Sequence, residues 1–593
     1  MNFLKIFLAA LLAVVVGSIL TFLFWLMLFF GVAGSMESVS TVNSNSILKI
    51  DMAEIITDSP SIDPFASIDF ATMQTTYRLP LLRVLRSIEA AKADERIKGI
   101  YLRMNGLGGV EGSAVLEELR AALADFKQSG KFVVSFNETY SHGSYYLASV
   151  ADSIYMQPEG GMDWSGLSMS VMFYKGLLDK LDLKAEVFRP TVCTYKSAVE
   201  PYILDKMSAA NRAQMQSLAN SIWGTITAAV SESRGIDTAT LNTLADNLQV
   251  SLPEDALKYH FVDRLIYEDQ MNEVFQKLGV QPASDGSFSF VTLGEYASQV
   301  GADLKNISAS QVAIIYADGA IVDGEGVYGG YVYGNTLAST LAKVRDDERV
   351  KSVVLRVNSP GGSALASDVI WREMELLRAK KPVVISMGSY AASGGYYISC
   401  PADAVVADRM TLTGSIGVYG MYLNTVDALK NKLGITVDAV KTNTSAGMGA
   451  TGALTAAERN SVMRGVDKVY TTFTNHVSEG RNLPIDKVLS IAGGRVWTGA
   501  EARGIGLIDA YGGLKEAIAV AADKAELGDT YRVVEVLEEP EGLAAIFSTF
   551  FSQARAHLES SELGVMMKQY RKVQEVTSQR GIVMYEPRTF TIE

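Results

Sequence analysis

The chain of 593 residues has little histidine: His142, His260, His476 and His557 are all there is. None lies in a motif resembling a catalytic triad, so the usual base of a serine or cysteine hydrolase has no obvious carrier. Cysteine is scarcer still. Cys193 and Cys400 cannot make a disulfide framework, and they leave the redox compartment open. There is no HExxH and no Cys/His cluster at ligand spacing, so neither a metal nor another cofactor is implied. Excess positive charge is also missing. Lys+Arg number 53 against 66 Asp+Glu, a formal net charge of −13. That balance argues against nucleic acid as the main partner, because phosphate binding favours a basic surface.

What is present first is one long apolar run. Residues 6–33, IFLAALLAVVVGSILTFLFWLMLFFGVA, carry no charge. About 20 such residues cross a bilayer core, and a secretory apolar region is only about 7–15 long. Lys5 precedes the run and Glu37 is the first charge after it. The expected topology is a cytoplasmic stub at 1–5, an anchor at 6–33, and the body outside. The alternative is a cleaved leader ending near Ala33-Gly34-Ser35. No later run is long and apolar enough to span.

The body contains itself twice. DERIKGIYLRMNGLGG from Asp94 matches DERVKSVVLRVNSPGG from Asp347, and GSYYLASVADSIYMQP matches GGYYISCPADAVVADR. The unit is too long for a solenoid repeat. It reads as a duplicated domain, at 46–290 and 310–535. Short β-branched runs with little alternation interleave with helical patterns, the signature of a parallel α/β sheet buried on both faces. In the second copy QVAIIYADGAI, VKSVVLRVN and KPVVISMGS are expected strands. TLASTLAKVRDDE and ALASDVIWREMELLRAK are expected helices. Beyond 540 the pattern changes, and LAAIFSTFFSQARAHLES and MMKQYRKVQEVTSQ suggest amphipathic helices in a tail at 540–593.

Without a histidine motif or a metal signature, a lysine is the remaining base for a serine. SYAASGGYY places Ser393 directly after a buried strand, among residues small enough for a tight strand-to-helix turn. NSPGG at 358–362 also follows a strand. Gly362 and Gly394 N–H groups are candidates for an oxyanion hole. The copies differ at these places. The first reads YSHGSYY, one residue shorter and without the AASGG serine, and NGLGG for NSPGG. Conversely it has RPTVCTYKSAVEPY around Lys196, where the second copy's counterpart, VKTNTSAGMGA, has no lysine at the matching position. His142, in the first copy's equivalent of the site, reads as structural. One copy keeps the serine and the other the lysine, which suggests a single composite site.

The motifs TYKSAVEPY, VNSPGGSALAS, SYAASGGYYISCPAD and TLTGSIGVYG resemble the long, duplicated form of the signal peptide peptidase A family. The likeness runs over nearly the whole chain after the anchor and is weakest beyond 540. It implies tandem domains of the Clp protease/crotonase type and a serine protease with a Ser/Lys dyad. Carried over by motif, Ser393 is the nucleophile and Lys196 the general base. Ser415 in TGSIG resembles the serine that hydrogen-bonds the lysine, and Gly362 and Gly394 match the oxyanion donors. The resemblance further implies a homotetramer on the inner (cytoplasmic) membrane, with the catalytic body on the extracytoplasmic side, that degrades cleaved signal peptides.

Such a mechanism needs a neutral amine near pH 7–8. From a free lysine at about 10.4 that is a fall of roughly 2–3 pKa units, or about 3–4 kcal/mol. Burial would supply it, and Glu200, four residues on from Lys196, is expected to face away. Apolar, extended substrates would suit strand addition near the glycine turns, with a short hydrophobic pocket before the cut. Two rivals remain. A crotonase-like acyl-CoA enzyme would want an acidic base and leaves Ser393, Lys196 and the anchor without purpose. An inactive scaffold fails to explain why the two losses are complementary.

Overall fold

The computed structural model describes residues 42–51, 55–61, 68–69, 74–75, 78–104, 110, 112–300, 310–326, 330–528, 530–537 and 583–585, with Gly17 and Thr21. The chain divides into two units, Met1–Ser44 and Asn45–Glu593. In the first, Thr21 Oγ1 donates to the Gly17 carbonyl at 2.8 Å, one helical turn away. The rest of the expected anchor at 6–33 lies outside the described residues, as do both expected tail helices. Among the described residues no helix is long and apolar enough to cross a membrane.

The second unit holds two parallel sheets, one from each copy of the repeat. The first runs in the order Arg264–Leu265, Ser153–Met162, Phe132–Tyr140, Ile97–Arg103, Ser46–Asp51 and Phe290–Thr292. The second runs Val496–Thr498, Leu412–Gly414, Val383–Ala392, Val350–Ser359, Ser310–Asp318 and Tyr531–Val536. Val496–Thr498 alone pairs antiparallel along this path. Side chains of one strand feed both faces, as expected for a covered parallel sheet. Val353, Leu355 and Val357 join the larger core. Val354, between them, joins a separate core with Leu514, Ala517 and Ala521 of helix Leu514–Lys524. Each valine or leucine among them contributes about 1.5–3 kcal/mol on burial.

The expected strand QVAIIYADGAI is broken in the structure. It splits at Gly319 (φ 107°) into Ser310–Asp318 and Ala320–Val322. Gly319 donates to the Asn358 carbonyl at 3.0 Å and lies so close to Gly330 that a side-chain carbon would stand 1.9 Å from its carbonyl oxygen. The break turns Ala320–Val322 out of the main sheet. It joins a smaller one ordered Tyr331–Tyr333, Ala320–Val322, Gly361–Ser363 and Val583–Tyr585.

Two of the seams between the halves bear on the site. In the buried one, Arg356 points to the same face as Val354 and meets Asp58 and Glu118 of the first half. All three are buried. Glu118 also accepts from Leu514 N–H at 2.7 Å, and its neighbour Glu117 accepts from Met410 N–H at 2.6 Å. The other seam is a two-stranded antiparallel ribbon, Lys184–Phe188 against Gly420–Asn424. It lays a first-half segment along the second half, and Lys196 follows it.

Candidate active site

Ser393 stands between the end of strand Val383–Ala392 and the start of helix Gly394–Ser399. Its backbone is forced to φ 57°, ψ −113°. For a non-glycine residue such a conformation costs of order 1–3 kcal/mol and persists only where the surroundings hold it. Here Ser393 N–H donates to the Gly414 carbonyl at 2.8 Å, and the Ser393 carbonyl accepts from Tyr397 N–H at 2.9 Å. The small flanking residues seen in the sequence are what admit the turn. A side-chain carbon on Gly395 would stand 2.5 Å from the Ser359 carbonyl oxygen.

Lys196 arrives on a tight loop after the ribbon. Cys193 N–H donates to Pro190 O at 2.9 Å and Lys196 N–H to Cys193 O at 3.1 Å. The Arg189 guanidinium donates to the Lys196 carbonyl at 2.7 Å. The amine Nζ then lies 2.7 Å from Ser393 Oγ, 2.8 Å from Ser415 Oγ and 3.0 Å from the Ser415 carbonyl oxygen. Lys196, Ser393 and Ser415 are each 0 % exposed. Ser415 is itself held at φ 49° and donates its hydroxyl to the Gly494 carbonyl at 3.4 Å. Its oxygen accepts from the amine.

The carboxylate feared as a neighbour is occupied elsewhere. Glu200 accepts from Ser208 N–H at 3.1 Å, Ser208 Oγ at 2.6 Å and Asn211 Nδ2 at 2.9 Å. The two candidate oxyanion glycines meet. A side-chain carbon on Gly394 would come within 3.1 Å of both the Gly362 nitrogen and Gly361 Cα. All five residues singled out in the sequence thus converge on one place.

Several supporting residues escaped the sequence. Gly493 accepts from Tyr195 N–H at 2.9 Å, and Gly494 donates to the Ile416 carbonyl at 2.9 Å. Ser415 N–H donates to Arg495 O at 2.8 Å. Gln214 reaches Ser197 Oγ at 3.4 Å and accepts from Val496 N–H at 2.8 Å, tying the residue after Lys196 to the strand after Gly494. The only available signal was the glycine pair in IAGGR, which by itself reads as a turn.

In the first copy the equivalent turn has become structural. Ser141 caps helix His142–Ala148 in a reciprocal box with Ser144. His142 Nε2 accepts from Ser165 and Gly166 N–H at 3.1 and 3.2 Å, with its ring against Trp164 and Trp223.

A serine hydroxyl on a strained turn, with a buried amine against it, offers the nucleophile and the basic group that a serine hydrolase needs. Comparison with known proteins narrows the class. The model of peptidase family S49 matches twice, over residues 125–281 and 375–528. Protease 4 of Salmonella typhi is 35% identical over 535 residues, covering 88% of this chain and 85% of that one. Protease 4 of Haemophilus influenzae is 37% identical, covering 73% and 71%. The chloroplastic serine protease SPPA of Arabidopsis thaliana is 31% identical, covering 85% and 73%. A solved ClpP1 chain of Listeria monocytogenes aligns with 12% identity and a TM-score of only 0.23, over 35% of this chain and 94% of that one. That likeness is too low to bear on fold or function. The chain belongs to peptidase family S49, and it is a serine protease.

Proposed function

We propose that the chain is a single-pass, membrane-anchored endopeptidase in which Ser393 is the nucleophile and Lys196 the general base. The observation that carries this is the 2.7 Å approach of Lys196 Nζ to Ser393 Oγ among buried neighbours. Burial disfavours a charged ammonium. A neutral amine would give its two N–H groups to Ser415 Oγ and the Ser415 carbonyl, and turn its lone pair to the Ser393 hydroxyl. Lys196 takes the proton as Ser393 Oγ adds to the peptide carbonyl. Gly362 and Gly394 N–H hold the oxyanion, and the lysine then passes its proton to the leaving amine. Water, deprotonated by the same amine, hydrolyses the acyl-enzyme.

The uncharged run at 6–33 supports anchoring in the inner membrane with the body outside, and the kinship with proteases supports peptide substrates. Apolar, extended peptides such as released signal peptides fit best. We also propose tandem Clp/crotonase-type domains at 46–290 and 310–535, and a homotetrameric assembly, to be read by light scattering. The deciding experiment is peptide hydrolysis by full-length protein with Ser393→Ala and Lys196→Ala made separately. Each should lose nearly all activity while keeping its fold, and full activity in either would end the dyad assignment. Protease added outside spheroplasts should digest the body, and protection would reverse the orientation.

A further inference from the structure

The two nominated oxyanion donors stand on separate elements, and a side-chain hydrogen bond joins those elements a turn behind them. Gly362 belongs to Gly361–Ser363, which runs straight into helix Ala364–Arg378. Gly394 opens helix Gly394–Ser399. The two elements meet closely at their starts. A side-chain carbon on Gly394 would stand 2.7 Å from Ser367 Oγ, a hydroxyl that donates to the Ser363 carbonyl at 2.8 Å. Further along, Tyr397 reaches across and donates its hydroxyl to Asp368 Oδ1 at 2.6 Å. The tyrosine is buried, while the carboxylate is half-exposed. Helix Ala456–Gly480 holds the tyrosine ring, with the Phe473 and His476 ring centres at 4.9 and 5.2 Å. His476 Nε2 lies 3.6 Å from the same Asp368 oxygen, beyond hydrogen-bond length, so Tyr397 is the closer partner.

The first copy offers a comparison. By position Tyr146 matches Tyr397, and Glu117, fifth residue of helix Ser113–Lys127, matches Asp368, fifth residue of its own helix. Yet the Glu117 carboxylate accepts from Met410 N–H at 2.6 Å and so joins the halves. The copy that lacks the serine puts this carboxylate to another use.

We infer that Tyr397 and Asp368 are positioning residues whose hydrogen bond sets the spacing of the Gly362 and Gly394 N–H groups, so that both reach a single oxyanion. The inference rests on the proposed roles of those glycines and of Ser393, and adds to them two side chains that touch no reacting atom. Preorganised donors act where charge develops, so the link should matter in the transition state and little in the bound substrate. Losing one oxyanion donor outright costs about 100- to 1,000-fold in kcat, and loosening the spacing of two that remain should cost about tenfold.

The test is made on the full-length protein with Tyr397→Phe, which removes only the hydroxyl, and with Asp368→Ala. In each, kcat for a peptide substrate should fall at least about fivefold with KM within about twofold of wild type. A peptide aldehyde, which adds to Ser393 and places an oxygen in the hole, should weaken by the same factor as kcat/KM. The matching peptide alcohol has no carbonyl to place there and should keep its inhibition constant. Asp368→Asn retains an Oδ1 acceptor and should stay within about threefold of wild-type kcat. The double variant Tyr397→Phe/Asp368→Ala should be no slower than the worse single one, because both break the same bond. A smaller fall in kcat, an alcohol weakened as much as the aldehyde, an asparagine variant as slow as the alanine one, or a multiplied loss in the double variant overturns the inference. Should Tyr397→Phe fail to fold, Asp368→Ala, at a half-exposed position, carries the same readings. Ser393→Ala separates the two levels. Hydrolysis that survives it defeats the proposed catalytic role, whereas hydrolysis that needs Ser393 but ignores Tyr397 and Asp368 defeats this inference alone.

Discussion

Replacing Gly494 with alanine should cripple catalysis without touching a reacting atom. A side-chain carbon there would stand 2.6 Å from Lys196 Cβ, 2.8 Å from its nitrogen and 2.9 Å from its Cα. These are backbone-anchored atoms, so the lysine must retreat by roughly 1 Å to reach ordinary contact. The amine now sits at hydrogen-bond distance from Ser393 Oγ, and a misplacement of that size costs about 100-fold in rate. The expected signature is kcat down about 100-fold with KM little changed, because substrate contacts are intact. Gly494 also has φ 79°, so alanine adds about 1–2 kcal/mol of backbone strain. Gly235→Ala isolates that second effect. Its φ is 68°, with nothing within 4 Å of the new carbon. That variant should lose similar stability and keep wild-type kcat. Steady-state kinetics with a fluorogenic peptide, alongside thermal unfolding, reads both. A folded Gly494→Ala enzyme with wild-type kcat would refute the claim that this glycine sets the position of the amine.

Three further outcomes follow from the geometry. Ser415→Ala removes an acceptor 2.8 Å from the amine, and kcat/KM should fall about 10- to 100-fold, the worth of one hydrogen bond to an ionisable group; unaltered kinetics would remove Ser415 from the machinery. Arg356→Met leaves the Asp58 and Glu118 carboxyls facing each other unpaired, and urea unfolding should show a loss of about 3–5 kcal/mol. Glu117 makes a pH prediction: burial, outweighing the Met410 and Arg409 N–H groups and the nearby Arg409 charge, lifts its carboxyl to about 7, with Glu118 pushing the same way. Because the folded form prefers the protonated acid, the favourable contribution is complete below about pH 4.5 and lost as pH rises through 7. Glu117→Gln should therefore gain about 1–2 kcal/mol over the wild type at pH 8 but nothing at pH 4, and a pH-independent difference in melting temperature would contradict the assignment.

Much of the site was legible because duplication supplies its own control. Ser393 stood out from its small-residue turn after a buried strand, but Lys196 did so only when each copy was read against the other, since an isolated lysine carries no such signal. The sheets were legible because Val353, Val354 and Leu355 had to be buried whichever face they took. What stayed hidden acts through backbone and across distance. Gly494 touches Lys196, and Gln214 touches Val496, with hundreds of residues between partners, and neither pairing leaves a local pattern. The break at Gly319 was missed because ADGAI continues an apolar run. Only the close approach of Gly330 shows why the chain must turn there. Val583–Tyr585 is three residues long, too short for a periodicity, and two of its three partners are glycines.

The hydroxyl and the amine are 197 residues apart in the chain, and the segment bearing the amine is fastened to the later half by the ribbon at 184–188 and 420–424. On the proposed assignment, a growing polypeptide carries the base long before it owns anything to deprotonate. Even after Ser393 is made, that ribbon still lacks its second strand. Cutting power is thus withheld until the lobes have docked, and incomplete or misassembled chains are harmless to whatever surrounds them during synthesis.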